Sequence, residues 1–344
     1  MKIGIIGASG YSGGELLRLL QSHPTFQVEY IAAGTQAGAR VSAVHPNLAG
    51  SPLYGDRLFE ATDVNRANEC DLVFTALPHG ESAALISSLD EKVKVVDLGA
   101  DFRLNSTQSW EKYYGGVHAG SWTYGLPELP GIRDSISASQ RIANPGCYAT
   151  VITLAAAPAL ANKVISGDDI VVVAASGTTG AGRKATANLL ASEVMGSLTS
   201  YKFGGVHQHT PEIEQSLSAI SSEEVRISFT PILAPMPRGI LATVTAKLQT
   251  SSTRDEILDM YKSFYAHEEF VTVLSSNELP KTSAVIGSNS VHIQVAVDSH
   301  TNRLVVSAAI DNLGKGAASA AIQNANLISG LPENTGLTSI GIGS

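Results

Sequence analysis

The clearest chemical signal in the 344-residue sequence is one cysteine in the setting Asn144-Pro145-Gly146-Cys147-Tyr148-Ala149-Thr150. Pro145 fixes a turn that can open a helix, and the run 149–155 reads as that helix. Cys147 is then expected in the first helical turn, where unpartnered backbone N–H groups and the positive end of the helix dipole favour thiolate over thiol. A nucleophile of this kind also needs a base and an electrophile. His207 and His209 lie in the loop before a helix whose start is marked by Thr210 as N-cap and Pro211 at the first position. Either imidazole could serve, and spacing does not choose between them. Cations for an anionic substrate are available too. Arg103 falls at a strand end beside a glycine turn, and Arg183 and Lys184 close the loop Ser176-Gly177-Thr178-Thr179-Gly180-Ala181-Gly182. A loop rich in hydroxyls and glycine that ends on two cations suits an oxyanion such as phosphate.

Other candidates carry less. Cys70 reads as a silent buried thiol, and two cysteines outside any Cys-x-x-Cys pair make no disulfide framework. An extended His207-Gln208-His209 would place two imidazoles on one side, but no third ligand accompanies them, so no metal is expected.

The elements that must position these residues begin with a short apolar strand at 2–7. It runs into Gly7-Ala8-Ser9-Gly10-Tyr11-Ser12-Gly13 and then a helix with leucines at 16, 17, 19 and 20. Strand, glycine turn and helix in that order are the context of a dinucleotide fingerprint, here with the spacing G-x-x-G-x-x-G. Gly7, Ser9, Gly10, Tyr11, Ser12 and Gly13 are expected to cradle a pyrophosphate at the helix N-terminus. A second strand at 28–33 ends on Gly34-Thr35-Gln36, with Arg40 behind and no Asp or Glu before Asp56. An NAD site wants a carboxylate there for the ribose 2′-OH. Its absence points to NADP(H), with Thr35, Gln36 or Arg40 available to the 2′-phosphate.

Strands at 71–77 and 93–97 also stop at glycine-bearing loops, which a doubly wound sheet turns toward its ligand crevice. Residues 105–143 read as a folded-back connection toward Cys147, and 169–175 as a buried strand. Beyond it, strands near 229–235, 239–248, 291–297 and 303–309 with one clear helix at 254–265 suggest a mixed or antiparallel sheet with helices on one face. An alanine-rich helix at 317–328 is expected to return to the nucleotide-binding part. The fold class is thus α/β and α+β: a Rossmann-type doubly wound unit, 1–146 with 311–344, and a catalytic unit, 147–310, with a mixed or antiparallel sheet.

Twenty-three basic against thirty-one acidic residues leave a net charge of −8 with no basic block, so neither nucleic acid nor an anionic membrane is an expected partner. The apolar opening breaks into glycine too soon for a signal h-region, and a cytoplasmic protein is expected.

Eight segments in order, 7–13, 98–103, 124–129, 144–150, 176–183, 207–213, 237–239 and 312–317, resemble the N-acetyl-gamma-glutamyl-phosphate reductase family. The resemblance implies an NADPH-dependent acyl-phosphate reductase of arginine biosynthesis and an oligomer, either dimer or tetramer. It implies Cys147 as nucleophile, His209 as acid–base, and Gly10, Tyr11, Ser12 and Gly13 as the phosphate-binding turn. For that reaction Arg183 and Lys184, with the 176–180 backbone, are expected to hold the leaving phosphate and Arg103 or Arg238 the substrate's free carboxylate, with Ser176, Gly177 and Asn312 also expected on the cofactor side. Many relatives show Ser-Arg after the second strand, where this chain has Gly34-Thr35. The rivals are the same chemistry on aspartyl phosphate or a carrier-linked aminoadipyl phosphate, and a non-catalytic dinucleotide sensor, which would have no use for Cys147 with His209.

Overall fold

A computed structural model describes residues 1–343, which form two sheets. The first is parallel throughout: β1 (Lys2–Ile6), β2 (Gln27–Ala32), β3 (Leu72–Thr75), β4 (Lys94–Asp97), β5 (Thr123–Tyr124) and β6 (Arg141–Ala143), in the order β2-β1-β3-β4-β6-β5. Its central strands are near-continuous apolar runs because both faces are covered. Ile3, Ile5, Leu72 and Phe74 pack with the first helix (Tyr11–Leu20) and the last (Ser319–Ile328), while Ile6, Val73 and Val95 pack with Tyr30 and Ile86 on the other side. Strand order reverses between β1 and β3, so the crevice opens beyond their carboxyl ends.

Within 105–143 the folded-back connection contains β5 and β6, two very short strands that periodicity cannot reveal. β6 matters for the site because it delivers Asn144 directly to the crevice, where the Asn144 N–H donates to Asp97 O at 2.8 Å.

The second sheet holds β7 (Ile170–Ser176), β8 (Thr199–Ser200), β9 (Ile227–Leu233), β10 (Ile240–Lys247), β11 (Val271–Val273), β12 (Val291–Asp298) and β13 (Arg303–Ile310), in the order β11-β12-β13-β10-β7-β9-β8. It is mixed, with β7–β9 and β11–β12 parallel and the other pairs antiparallel. The inward face of β10, with Ile240, Ala242, Val244 and Ala246, packs in one core with the helix Cys147–Ala161. Val171, Val173 and Leu241 on the outward face are exposed.

The helix Cys147–Ala161 is buried almost from end to end. Pro158 inside it has no N–H for the Leu154 carbonyl, and the Tyr265 hydroxyl donates to that oxygen at 2.6 Å instead.

Candidate active site

Cys147 is the first residue of its helix, with Gly146 as the N-cap and Pro145 outside. The backbone N–H groups of Cys147 and Tyr148 both favour its anion, as does the Arg103 charge, yet burial outweighs them and pushes the thiol up to about 11. Burial thus opposes the anion that helix position alone favours.

His209 reaches the same turn. A Cβ built on Gly146 would lie 2.5 Å from His209 Nε2 and 2.8 Å from Arg103 Nη1, so glycine is what lets imidazole and guanidinium approach the backbone beside Cys147. His209 caps the helix Thr210–Ser221, with Thr210 and Pro211 at its first two positions, one residue earlier than the sequence suggested. Burial and the Arg103 charge push His209 down to about 3, leaving a neutral ring that can accept a proton. Its Nδ1 has no hydrogen-bond partner.

His207 does a different job. Its Nδ1 accepts the His209 N–H at 3.0 Å, and the two rings sit 4.9 Å apart in a box completed by Tyr148, Tyr201 and Phe229. Burial, then the nearby His209 and Lys202, press it down to about 2.

Arg103 is buried and donates to Leu98 O at 2.8 Å, and its Nη1 lies 3.3 Å from Glu212 Oε2; its Nε–H is unpartnered. Glu212 is the residue sequence reasoning missed. Fully buried, it also accepts from the Tyr124 hydroxyl and the Gly146 N–H, both at 2.7 Å, and so ties the turn before Cys147 to Arg103 and to the His209 helix. The available signal was a charged residue between Pro211 and Ile213 on a face that had to be buried.

Across the crevice, Gly7 has φ +82° and a Cβ there would lie 2.3 Å from Ala76 O. Gly10 caps the first helix without a side-chain partner, and only Gly7 O lies within 4 Å of where its Cβ would be, at 3.5 Å. The Tyr11, Ser12 and Gly13 N–H groups head a ten-residue helix, where no intrahelical acceptor exists. This turn fits a dinucleotide pyrophosphate in shape and in donor chemistry. Thr35, Gln36 and Arg40 are exposed beyond β2, and Arg40 faces Asp56 at 3.3 Å. Glu60, whose backbone bridges to Ala32, turns its carboxylate to Arg66 at 3.2 Å.

Three expected ligand residues are engaged elsewhere. Arg238, assigned to the substrate, makes bidentate contacts with Glu15 and with Asp311, joining the first helix to the end of β13. Asn312, assigned to the cofactor, accepts the Gly239 N–H at 2.7 Å and donates to Thr179 Oγ1 at 3.0 Å, which braces the Thr178–Ala181 turn from beneath. Arg183, assigned to the substrate phosphate, reaches the glycine turn: it donates to Ser9 O at 3.2 Å and Val44 O at 2.7 Å. Ser176 is buried with its hydroxyl donating to Gly177 O, Gly177 packs against Pro237 and Arg238, and Lys184 is exposed. Cys70 is buried, its thiol pushed up to about 11.

A parallel sheet of dinucleotide-binding topology, with a cysteine, an imidazole and a buried arginine meeting at one turn, is the architecture of an oxidoreductase of the aldehyde dehydrogenase class. The chain belongs to the N-acetyl-gamma-glutamyl-phosphate reductase branch of the semialdehyde dehydrogenase family: the pattern described as "Semialdehyde dehydrogenase, NAD binding domain" matches residues 2–139 and "Semialdehyde dehydrogenase, dimerisation domain" matches 147–312. It is 55% identical to N-acetyl-gamma-glutamyl-phosphate reductase of Acidothermus cellulolyticus, covering 99% of this chain and 98% of that protein. The protein of the same name from Frankia casuarinae is 52% identical over the same shares. Among solved structures, aspartate semialdehyde dehydrogenase II of Vibrio cholerae superposes with a TM-score of 0.70 at 15% identity, covering 95% of this chain and 98% of that one. The Candida albicans enzyme with NADP gives 0.68 at 17%, over 97% and 99%. At such identities the likeness is one of fold. No helix among the described residues is long and apolar enough to cross a membrane.

Proposed function

We propose that the protein reduces N-acetyl-L-glutamyl 5-phosphate to N-acetyl-L-glutamate 5-semialdehyde, releasing phosphate, in arginine biosynthesis. The observation that carries this reading is the convergence of His209 Nε2 and Arg103 on the Gly146–Cys147 turn, in a chain 55% identical to a protein named for that reaction. Neutral His209 takes the thiol proton as Cys147 Sγ attacks the acyl carbon, and the carbon–oxygen bond to phosphate breaks to leave a thioester. The Cys147 and Tyr148 N–H groups and Arg103 stabilise the negative charge that develops. The Tyr11, Ser12 and Gly13 N–H groups would hold the NADPH pyrophosphate, and the cofactor so bound would supply the hydride for the thioester carbon. The carbon–sulfur bond then breaks to give the aldehyde, and protonated His209 returns its proton to sulfur.

Arg103, with its Nε–H free, receives the substrate carboxylate, and the 177–181 backbone with Lys184 faces the leaving phosphate. NADP is favoured over NAD because no carboxylate is directed at the ribose beyond β2. The chain works as two units, 1–146 with 311–344 and 147–310. It assembles in the cytoplasm as a dimer or tetramer through the open face of the second sheet, where Val171, Val173 and Leu241 are exposed.

Purified protein with N-acetylglutamate semialdehyde, phosphate and NADP tests the reading, since the reverse reaction produces NADPH absorbance. Cys147→Ser abolishes it and leaves NADPH binding intact. A Ser variant with near-full turnover, or greater turnover on aspartate semialdehyde, overturns it.

A further inference from the structure

Arg183 sits on a loop that leaves the second sheet, yet both carbonyls it grips lie in segments that follow strands of the first. Ser9 O lies in the glycine turn and Val44 O ends the short helix Val41–Val44 that follows β2. Its guanidinium also stands over the Tyr11 ring, 5.8 Å from the centroid. From below, the His45 ring fixes the same turn: its Nε2–H donates to Ala8 O at 2.9 Å, and a Cβ on Gly14 would lie 2.5 Å from the ring. The turn is therefore rigid underneath and covered above by an arginine from the other half of the chain. The charged groups that bear most on Cys147 are Arg103 and Glu212.

We propose that Arg183 clamps a phosphate of the bound dinucleotide, not the phosphate of the acyl substrate. Two of its five N–H donors are engaged, both on backbone oxygens, so the planar fork still presents donors to a phosphate. It bridges the glycine turn and the segment after β2, so a dinucleotide held by that turn would bring its pyrophosphate or its 2′-phosphate to this guanidinium. The proposal rests on the dinucleotide reading of the glycine turn.

The test is direct titration of NADPH and NADH into wild type and Arg183→Ala without acyl substrate, followed by intrinsic fluorescence, with the unliganded thermal midpoint as the folding control. NADPH affinity is expected to fall about tenfold or more, the usual effect of losing a charge-assisted contact, with KM for the acyl substrate little changed. Loss confined to NADPH assigns the 2′-phosphate, and equal loss for NADH assigns the pyrophosphate. Unchanged NADPH affinity, whether or not KM for the acyl substrate rises, overturns the proposal. A wild-type protein that binds neither nucleotide overturns the reading of the turn itself.

Discussion

Cys147 shows how helix position and burial pull a thiol in opposite directions. Two backbone N–H groups and Arg103 act in its favour, Glu212 against it, and burial decides. Its alkylation by iodoacetamide should therefore climb through pH 9 without the plateau near neutrality that a stable thiolate gives. His209→Ala should lower kcat by about two to four orders of magnitude while Cys147 alkylation in the resting protein changes little, because the imidazole is already neutral. Glu212→Gln removes the negative charge nearest both Arg103 and Cys147. Breaking that buried pair should cost about 3 kcal/mol in urea unfolding, and the thiol pKa should drop, so alkylation at pH 8 accelerates even as turnover falls.

At the scale of elements, the site is set by backbones that come unusually close. The π-helical turn Gly314–Ala318 lays Gly316 against the start of the Cys147 helix, where a Cβ would lie 2.7 Å from Cys147 Cβ. Gly316→Ala should displace the sulfur and lower kcat on the order of a hundredfold, with NADPH affinity retained. The first glycine turn makes the contrasting case. Gly7→Ala, at φ +82° and facing Ala76 O, should weaken nucleotide binding and destabilise the first sheet together, visible in titration and in the thermal midpoint.

The molecule as a whole is held across its crevice by Arg238 between Glu15 and Asp311, the contacts that remove it from the substrate. Stability should also follow the two depressed histidines. Above pH 6.5 folded and unfolded chains carry them neutral; between 6.5 and about 3 the unfolded chain takes up protons that the fold refuses, so stability falls as pH drops through that window. Urea midpoints at pH 7 and 5 measure the slope, and His207→Phe, which fits the aromatic box, should flatten it. For assembly, Val173→Asp on the open sheet face should shift sedimentation toward monomer while leaving the isolated chain folded.

What could be read in one dimension was what depends on neighbours along the chain. Strand, glycine turn and helix after Lys2, the cysteine at a helix start, and the missing carboxylate after β2 are local patterns with local causes. The choice between His207 and His209 was not local, and it was the fold that turned one ring toward Gly146 and sealed the other in an aromatic box. The partners of Arg103, Arg183 and Arg238 were equally invisible, because a guanidinium goes to the nearest unpaired oxygen in space: Glu212 lies 109 residues from Arg103, Ser9 lies 174 from Arg183, and Glu15 lies 223 from Arg238. The protonation state of Cys147 followed the same rule, since helix position is written in sequence but desolvation is the sum of everything packed around the sulfur.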